Sequence, residues 1–374
     1  MAAGIGTVVL AGLIGRRRSS ATGLFALVLT GFSYVLVLYS SEARGYSGVV
    51  FFAFLAYYAM DCYLERPRWT TAALYSASAV LGLASHLIFV NVLAACALWC
   101  WLRLKSIRAL LVCQAAPAIF FVWLYLVDIR HMVEGGSGQA HPSLIGTYAL
   151  ALAWTWGVAQ VIFCIMSIII IGAAVRIQGK ECPDRFLFFL SAIVLLPIFI
   201  AVVRNSQTIY VRYFLLSIAF LLLLASELLA WLFNRSATGK AACLLLLVGY
   251  GAANGWHIAE LFKYGRGSYR DALHYMAEHS HGPIITIDSD NDFQVPLMLD
   301  YDTDALEGKP MEYRLKKSGP WGAEWLICQK DSLDDPTPPH GLSPESAGFQ
   351  YELAASYPTA PLSGLRWYLY QRRP

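Results

Sequence analysis

The sequence predicts a polytopic α-helical membrane protein of about ten membrane segments, followed by a small C-terminal α/β domain that folds in water. Three observations carry that expectation. Of the 374 residues, 57% are hydrophobic and only 14% are charged, where a soluble domain carries about 25% charged residues. Long runs such as Ala21–Tyr39 and Ser47–Met60 hold no charge at all. From Ala259 onward the composition turns polar, over a length that suits one small domain.

The chain opens on the apolar stretch Met1–Gly15, and its positive charges (Arg16, Arg17, Arg18) follow that stretch. A cleavable signal has the reverse order, so this piece is read as a segment running from outside to inside. It is short for a crossing, which takes about 20 residues. A chain that starts outside on a short helix is expected to lack its earlier helices. Membrane segments are expected at Gly4–Gly15, Ala21–Tyr39, Ser47–Tyr63, Thr70–Ser85, Leu87–Leu102, Ala109–Val127, Tyr148–Val175, Phe186–Val203, Tyr213–Phe233 and Ala241–His257. No broken helix and no inverted repeat is expected among them.

The intervening loops alternate in charge. One set holds thirteen basic residues: Arg16, Arg17 and Arg18; Arg66 and Arg68; Arg103, Lys105 and Arg108; Arg176, Lys180 and Arg185; Arg235 and Lys240. The other holds four: Arg44, Arg130, Arg204 and Arg212. The positive-inside rule makes the first set cytoplasmic. Glu42, Arg44, His86, the Asp128–Pro142 loop, the stretch from Arg204 to Arg212 and everything after His257 then share the outer side. Ser143–Trp156, rich in Tyr, Trp and Ala, is expected to rest at the membrane interface.

The net charge of +3 lies in short loops and is a topology signal, not a nucleic-acid footprint. No RNP, zinc-finger or helix-turn-helix pattern is present, so no nucleic-acid partner is expected. The eight cysteines form no CxxC pair, and only Cys328 lies in the polar tail. Neither a zinc site nor a disulfide framework is expected. His131 and His141 match no zinc spacing. Asp288, Asp290 and Asp292 lack the glycine and glutamate of a calcium loop and read as a strand-end turn.

In the tail, Ser268–His281 has helical spacing, and Pro283–Asp288 reads as a buried strand. Glu324–Cys328 and Trp367–Tyr370 read as further strands, and Asp334–Pro344 as a loop by its prolines. Gly265-Arg266-Gly267 reads as a hinge between a membrane part, 1–258, and a domain over 259–374.

Four pieces of the chain carry a resemblance. They are Ser41-Glu42-Ala43-Arg44-Gly45-Tyr46 after a span, Leu83-Ala84-Ser85-His86 between two short spans, and Arg212-Tyr213 opening a late span. The fourth is the tail, with Tyr269-Arg270-Asp271-Ala272 leading a helix and Leu369-Tyr370-Gln371-Arg372-Arg373 near the end. In this order the chain resembles the GT-C class of polyprenyl-phosphate-dependent glycosyltransferases, in particular the bacterial relatives of protein mannosyltransferase and of the aminoarabinose transferase of lipid A. The resemblance implies a multi-pass protein of the bacterial inner membrane with an extracytoplasmic tail. It implies transfer of a sugar from a polyprenyl-phosphate donor to a glycan, lipid or protein acceptor on the outer face. No cofactor is implied beyond the lipid-linked donor.

That class places its catalytic carboxylate in a first outer loop. No such loop is present here, and no aspartate precedes Asp61, which the charge count puts on the cytoplasmic side. A fragment, a mis-started frame or a member without its acid would each give this pattern. A truncated or non-catalytic subunit of the same architecture, and a flippase or transporter of lipid-linked sugar, are the alternatives.

A leaving phosphate needs cations as its charge develops, and arginine holds phosphate oxygens in pairs. Arg44, Arg204 and Arg212 are therefore candidate phosphate clamps, or else interfacial anchors that snorkel. Glu42 is a weak candidate for a surrogate base; pairing with Arg44 or orienting a hydroxyl is favoured over that role. Tyr46 and Tyr213 are candidate substrate contacts or interfacial aromatics. His86 is a candidate contact or, more commonly for such a residue, a hydrogen-bonded structural histidine.

Overall fold

The structure is a computed structural model. It describes residues 2–42, 45–131, 143–158, 160, 163–204, 209–290, 294–302, 306, 308–314, 322–331, 341–342 and 349–373. The described residues up to Trp256 form one compact unit, and those from His257 on form another.

The first unit is helical. Its helices are α1 (Ala2–Arg16), α2 (Ser20–Gly31), α3 (Tyr34–Ser40), α4 (Tyr46–Glu65), α5 (Trp69–Ser85), α6 (Val90–Leu104) and α7 (Ile107–Val127). Then come α8 (Leu144–Trp154), α9 (Cys164–Glu181), α10 (Pro183–Leu190), α11 (Leu196–Arg204), α12 (Leu215–Arg235) and α13 (Ala237–Tyr264). A π-helical turn, Ser191–Leu195, joins α10 to α11.

Among the described residues, six helical stretches are long and apolar enough to cross a membrane. They are Tyr46–Glu65, Leu87–Leu104, Ile107–His131, Pro183–Val203, Val211–Arg235 and Ala237–His279. A seventh is reached by counting the bent pair α2 and α3 as one span. Ten was therefore too many, for identifiable reasons. α1 has 15 residues and α5 has 17, so each is short for a crossing. The expected span Tyr148–Val175 is two helices, α8 and α9, parted near Gly157, whose φ of +73° suits glycine and closes α8 with a turn. α8 is largely buried, with Thr147, Tyr148 and the residues from Leu150 to Trp154 packed among helices.

The expected run Ala21–Tyr39 is broken as well. α2 and α3 meet at 59° across Phe32 and Ser33. No break is expected there from the sequence. A Gly31–Ser33 neighbourhood is a common place for a kink.

Lipid offers backbone groups no hydrogen bonds, so each interruption must be satisfied from inside the protein. Pro117 in α7 has no N–H for the carbonyl of Cys113, four residues back. The hydroxyl of Ser76 on α5 donates to that carbonyl at 3.0 Å. Pro197 likewise leaves the Ile193 carbonyl without its usual donor, and the Tyr148 hydroxyl on α8 donates to it at 2.8 Å. Each of Ser76→Ala and Tyr148→Phe is expected to cost about 0.6 kcal/mol, the average for hydrogen bonds between membrane helices, and at most about 1.7 kcal/mol. Unfolding titrations in mixed detergent check this, and an unchanged midpoint for both would refute it.

The loops that the charge count groups together do meet at one end of the bundle. Arg17 Nε lies 2.9 Å from Asp61 Oδ2, and Arg18 Nη2 lies 2.7 Å from Asp61 Oδ1. Arg17 also reaches Glu65 at 2.8 Å. Asp184 accepts from the Trp99 indole at 3.1 Å and faces Arg103 at 3.8 Å. Arg185 pairs with Glu227 at 2.5 Å, both side chains nearly buried. One turn in from Asp61, Tyr57 packs against Trp99, Phe188 and Phe220 with centroids 5.3, 4.9 and 5.9 Å away. These rings, all buried, form the core at the charged end.

The second unit holds α14 (Tyr269–His279), β1 (Ile285–Ser289), α15 (Gln294–Tyr301), β2 (Met311–Tyr313), β3 (Trp325–Asp331), β4 (Gly341–Leu342), β5 (Tyr351–Tyr357) and β6 (Leu365–Arg372). They make a mixed six-stranded sheet in the order β2-β1-β3-β6-β5-β4. β1 runs parallel to β2 and β3, and the pairs from β3 to β4 are antiparallel. Ala272, Leu273 and Met276 of α14 cover one face, over Ile285, Ile287, Trp325, Ile327, Trp367 and Leu369. The expected helix and three strands are present. α15, β2, β4 and β5 were not anticipated: the three strands are short or alanine-rich, so their alternation is weak. Gly265 and Gly267 have φ of +60° and +132°, as a turn through glycine requires. The Asp334–Pro344 loop lies outside the described residues except at Gly341 and Leu342, which form β4.

Candidate functional site

A cavity lies away from the charged end of the helical unit, where α1, α2, α3, α4 and α12 approach one another. Its volume is about 330 Å³, near the low end of the about 300–1,000 Å³ typical of ligand pockets. Thr7 and Val8 of α1, Thr30 and Gly31 of α2, Val37, Tyr39 and Ser40 of α3, Tyr46 and Val50 of α4, and Leu215 of α12 line it. Among the described residues, no charged side chain is in the wall. The hydroxyls of Thr7, Thr30 and Ser40 donate to carbonyls of their own helices. What remains is an apolar slot suited to a hydrocarbon chain.

At one edge of the slot the rings of Tyr39, Tyr46 and His86 form a row. Tyr39 and Tyr46 have centroids 5.2 Å apart, and Tyr46 stacks on His86 at 4.8 Å. The row exists because α4 and α5 touch closely. A Cβ on Gly45 would stand 1.8 Å from the Ser85 carbonyl oxygen, so only glycine fits at that point. His86 Nδ1 accepts the N–H of Ile88 at 3.2 Å and so caps a short helical turn. In the neutral ring this places the proton on Nε2.

The structure brings together some of the sequence-derived candidates. Tyr46 and His86 are in contact. Glu42 is half-buried in the turn between α3 and α4. Arg212 and Tyr213 lie in the short turn Val211–Phe214 that leads into α12, with the Arg212 guanidinium 4.2 Å over the Tyr210 ring and 5.9 Å from that of Tyr213. Leu215, three residues beyond Arg212, is in the slot wall. Arg44 lies outside the described residues. Arg204 ends α11, and its side chain likewise lies outside what is described. Tyr39, Thr7 and Thr30 were missed, because a slot built from five helices leaves no local signal in any of them.

Asp61 is held by Arg17 and Arg18 at the charged end, away from the slot. It is therefore not available as a base there. His131 is exposed after α7 with Nδ1 3.3 Å from the Val127 oxygen, and His141 lies outside the described residues. Among the described residues, no group of three or more His, Cys, Asp or Glu is placed to hold a metal ion.

In the sheet unit the aspartates do structural work. Asp288 Oδ2 accepts the N–H groups of Gly322 and Ala323, both at 3.1 Å. The Asp290 carboxylate accepts that of Gln329 at 3.0 Å. Asp292 lies outside the described residues. Burial pushes the Cys328 thiol up to about 12, with Asp290 adding to the rise and Lys330 opposing it. At neutral pH this thiol is protonated and is a poor nucleophile.

Compared with known proteins, the chain matches no family model, and no curated protein matches it.

Proposed function

We propose that this protein is a membrane glycosyltransferase that moves a sugar from a polyprenyl-phosphate donor to an acceptor at the outer membrane face. The observation that carries the reading is the slot of about 330 Å³, which has no charged side chain in its wall among the described residues and carries the Tyr39–Tyr46–His86 row at one edge. In this reading the isoprenoid chain occupies the slot. Its phosphate is then neutralised by Arg212, three residues before the wall residue Leu215, with Arg44 a second candidate on its sequence alone. The acceptor oxygen attacks the anomeric carbon, the bond from that carbon to the phosphate oxygen breaks, and the phosphate leaves on its lipid. The acceptor's proton passes to a base; Glu42, the carboxylate nearest the row in sequence, is a weak candidate for that part. Tyr46 and His86 then contact the sugar or its phosphate, and Tyr213 supports Arg212.

Binding of polyprenyl phosphate to the purified protein tests this directly. Arg212→Ala is expected to weaken it about tenfold, as loss of one charge-assisted contact of about 1.4 kcal/mol would. Unchanged affinity would remove Arg212 from the site. A transfer assay with labelled polyprenyl-phosphate sugars tests the chemistry.

A second reading, a flippase or transporter of lipid-linked sugar, is favoured by the bent pair α2 and α3, since interrupted helices are common in transporters. It predicts movement of label across a vesicle membrane with no sugar transferred. A non-catalytic subunit of the same architecture is favoured by the engagement of Asp61 elsewhere, and predicts binding with neither outcome.

A further inference from the structure

The bend between α2 and α3 creates a need that α13 meets. In an unbroken helix the Leu29 carbonyl would take the N–H of Ser33, and the Thr30 carbonyl that of Tyr34. Here the Tyr34 N–H donates instead to Asn254 Oδ1 at 2.8 Å. The Tyr250 hydroxyl donates to the Leu29 carbonyl at 2.6 Å. The Asn254 amide in turn donates to the Tyr250 carbonyl at 3.1 Å, so both groups are tied to one turn of α13.

Asn254 is fully buried. An amide in an apolar core is costly unless its hydrogen bonds are made. Here the acceptor and one donor are both used, and the groups they satisfy belong to the bend. Gly157 leans against it as well, since a Cβ there would stand 2.7 Å from Asn254 Nδ2. Little room is left for the amide to move.

α3 is seven residues long and cannot hold its own direction. Yet Val37, Tyr39 and Ser40 of the slot wall are all on it, and it ends beside Glu42. We propose that Asn254 is a positioning residue, which fixes the placement of α3 and thereby the mouth of the slot. It touches no ligand itself. Its use for ligand binding rests on the reading of the slot given above.

Hydrogen–deuterium exchange of the full protein in lipid nanodiscs tests the placement. Asn254→Leu is expected to speed exchange of the amides of α3 about tenfold, the equivalent of one lost hydrogen bond of about 1.4 kcal/mol. Amides of α4 and α12 should keep their wild-type rates. Asn254→Asp serves as the rescue: in its neutral form the carboxyl has an acceptor for Tyr34 and a donor for the Tyr250 carbonyl. Its α3 rates should match wild type. Unchanged α3 exchange in Asn254→Leu would overturn the proposal. So would an equal rise in every helix, which marks general loosening, or failure of Asn254→Asp to restore protection. Polyprenyl phosphate binding is measured on the same samples. Loosened α3 with undiminished binding supports the placement role while removing the slot from the lipid-binding reading.

Discussion

Replacing Glu227 with leucine should destabilise the protein by about 3–5 kcal/mol, as expected when one partner of a buried ion pair is removed. The pair is deep: the side chains of Arg185 and Glu227 are 11% and 10% exposed. Arg185 Nε is already buried with no hydrogen-bond partner. Without Glu227 the guanidinium would be left charged among Tyr57, Phe188 and the other rings of that core. Arginine cannot relieve this by losing its proton. The double variant Arg185→Leu/Glu227→Leu should recover most of the loss, because an apolar pair of similar volume often replaces a buried ion pair at little cost. Thermal unfolding in detergent of the wild type, both singles and the double separates the terms. A double variant no more stable than Glu227→Leu would show that the pair is not the cause.

Gly45→Ala should be the most damaging single-methyl change near the slot, at about 3 kcal/mol or somewhat more, the upper part of the range for overpacking. The added carbon would stand 1.8 Å from the Ser85 carbonyl oxygen and 2.7 Å from its carbon. Both are backbone atoms, so no rotamer change relieves the clash. The start of α4 and the end of α5 must separate, and these two points carry Tyr46 and His86. Their stacking should be lost with the stability. Gly48→Ala is the control, because its Cβ meets the Ser85 hydroxyl at 2.7 Å, and that hydroxyl can rotate away. A melting temperature for Gly45→Ala at or above that of Gly48→Ala would refute the argument.

Hydropathy made the helices legible, because a run such as Leu215–Leu224 has no other use than to be buried or to face lipid. Charge counting made the grouping of helix ends legible, and Arg17, Arg103 and Arg185 do meet their carboxylates at one end. Continuity was not legible. The bend at Phe32–Ser33 sits inside an uncharged run, and its hydrogen-bond partner Asn254 lies 220 residues away. The join of α8 to α9 was hidden in the same way by apolar residues on both sides of Gly157. Glu227 drew no notice in its apolar run, although an intramembrane carboxylate calls for a partner. For the candidate site, the motifs around Tyr46 and His86 drew attention to two residues that are in contact. Two of the four helices packed around α3 in the slot, α1 and α2, contributed no motif at all.

The irregularities of this bundle differ in when they can be healed as the chain leaves the ribosome. Ser76 and Tyr148 are synthesised before the prolines whose damage they repair, 37 and 45 residues ahead of the carbonyls they meet. Those helices can enter the bilayer with a remedy already waiting. The bend after Gly31 has no such luck, for Tyr250 and Asn254 arrive last among the membrane helices. Until α13 is made, neither Tyr250 nor Asn254 is there to take up the Leu29 carbonyl and the Tyr34 N–H.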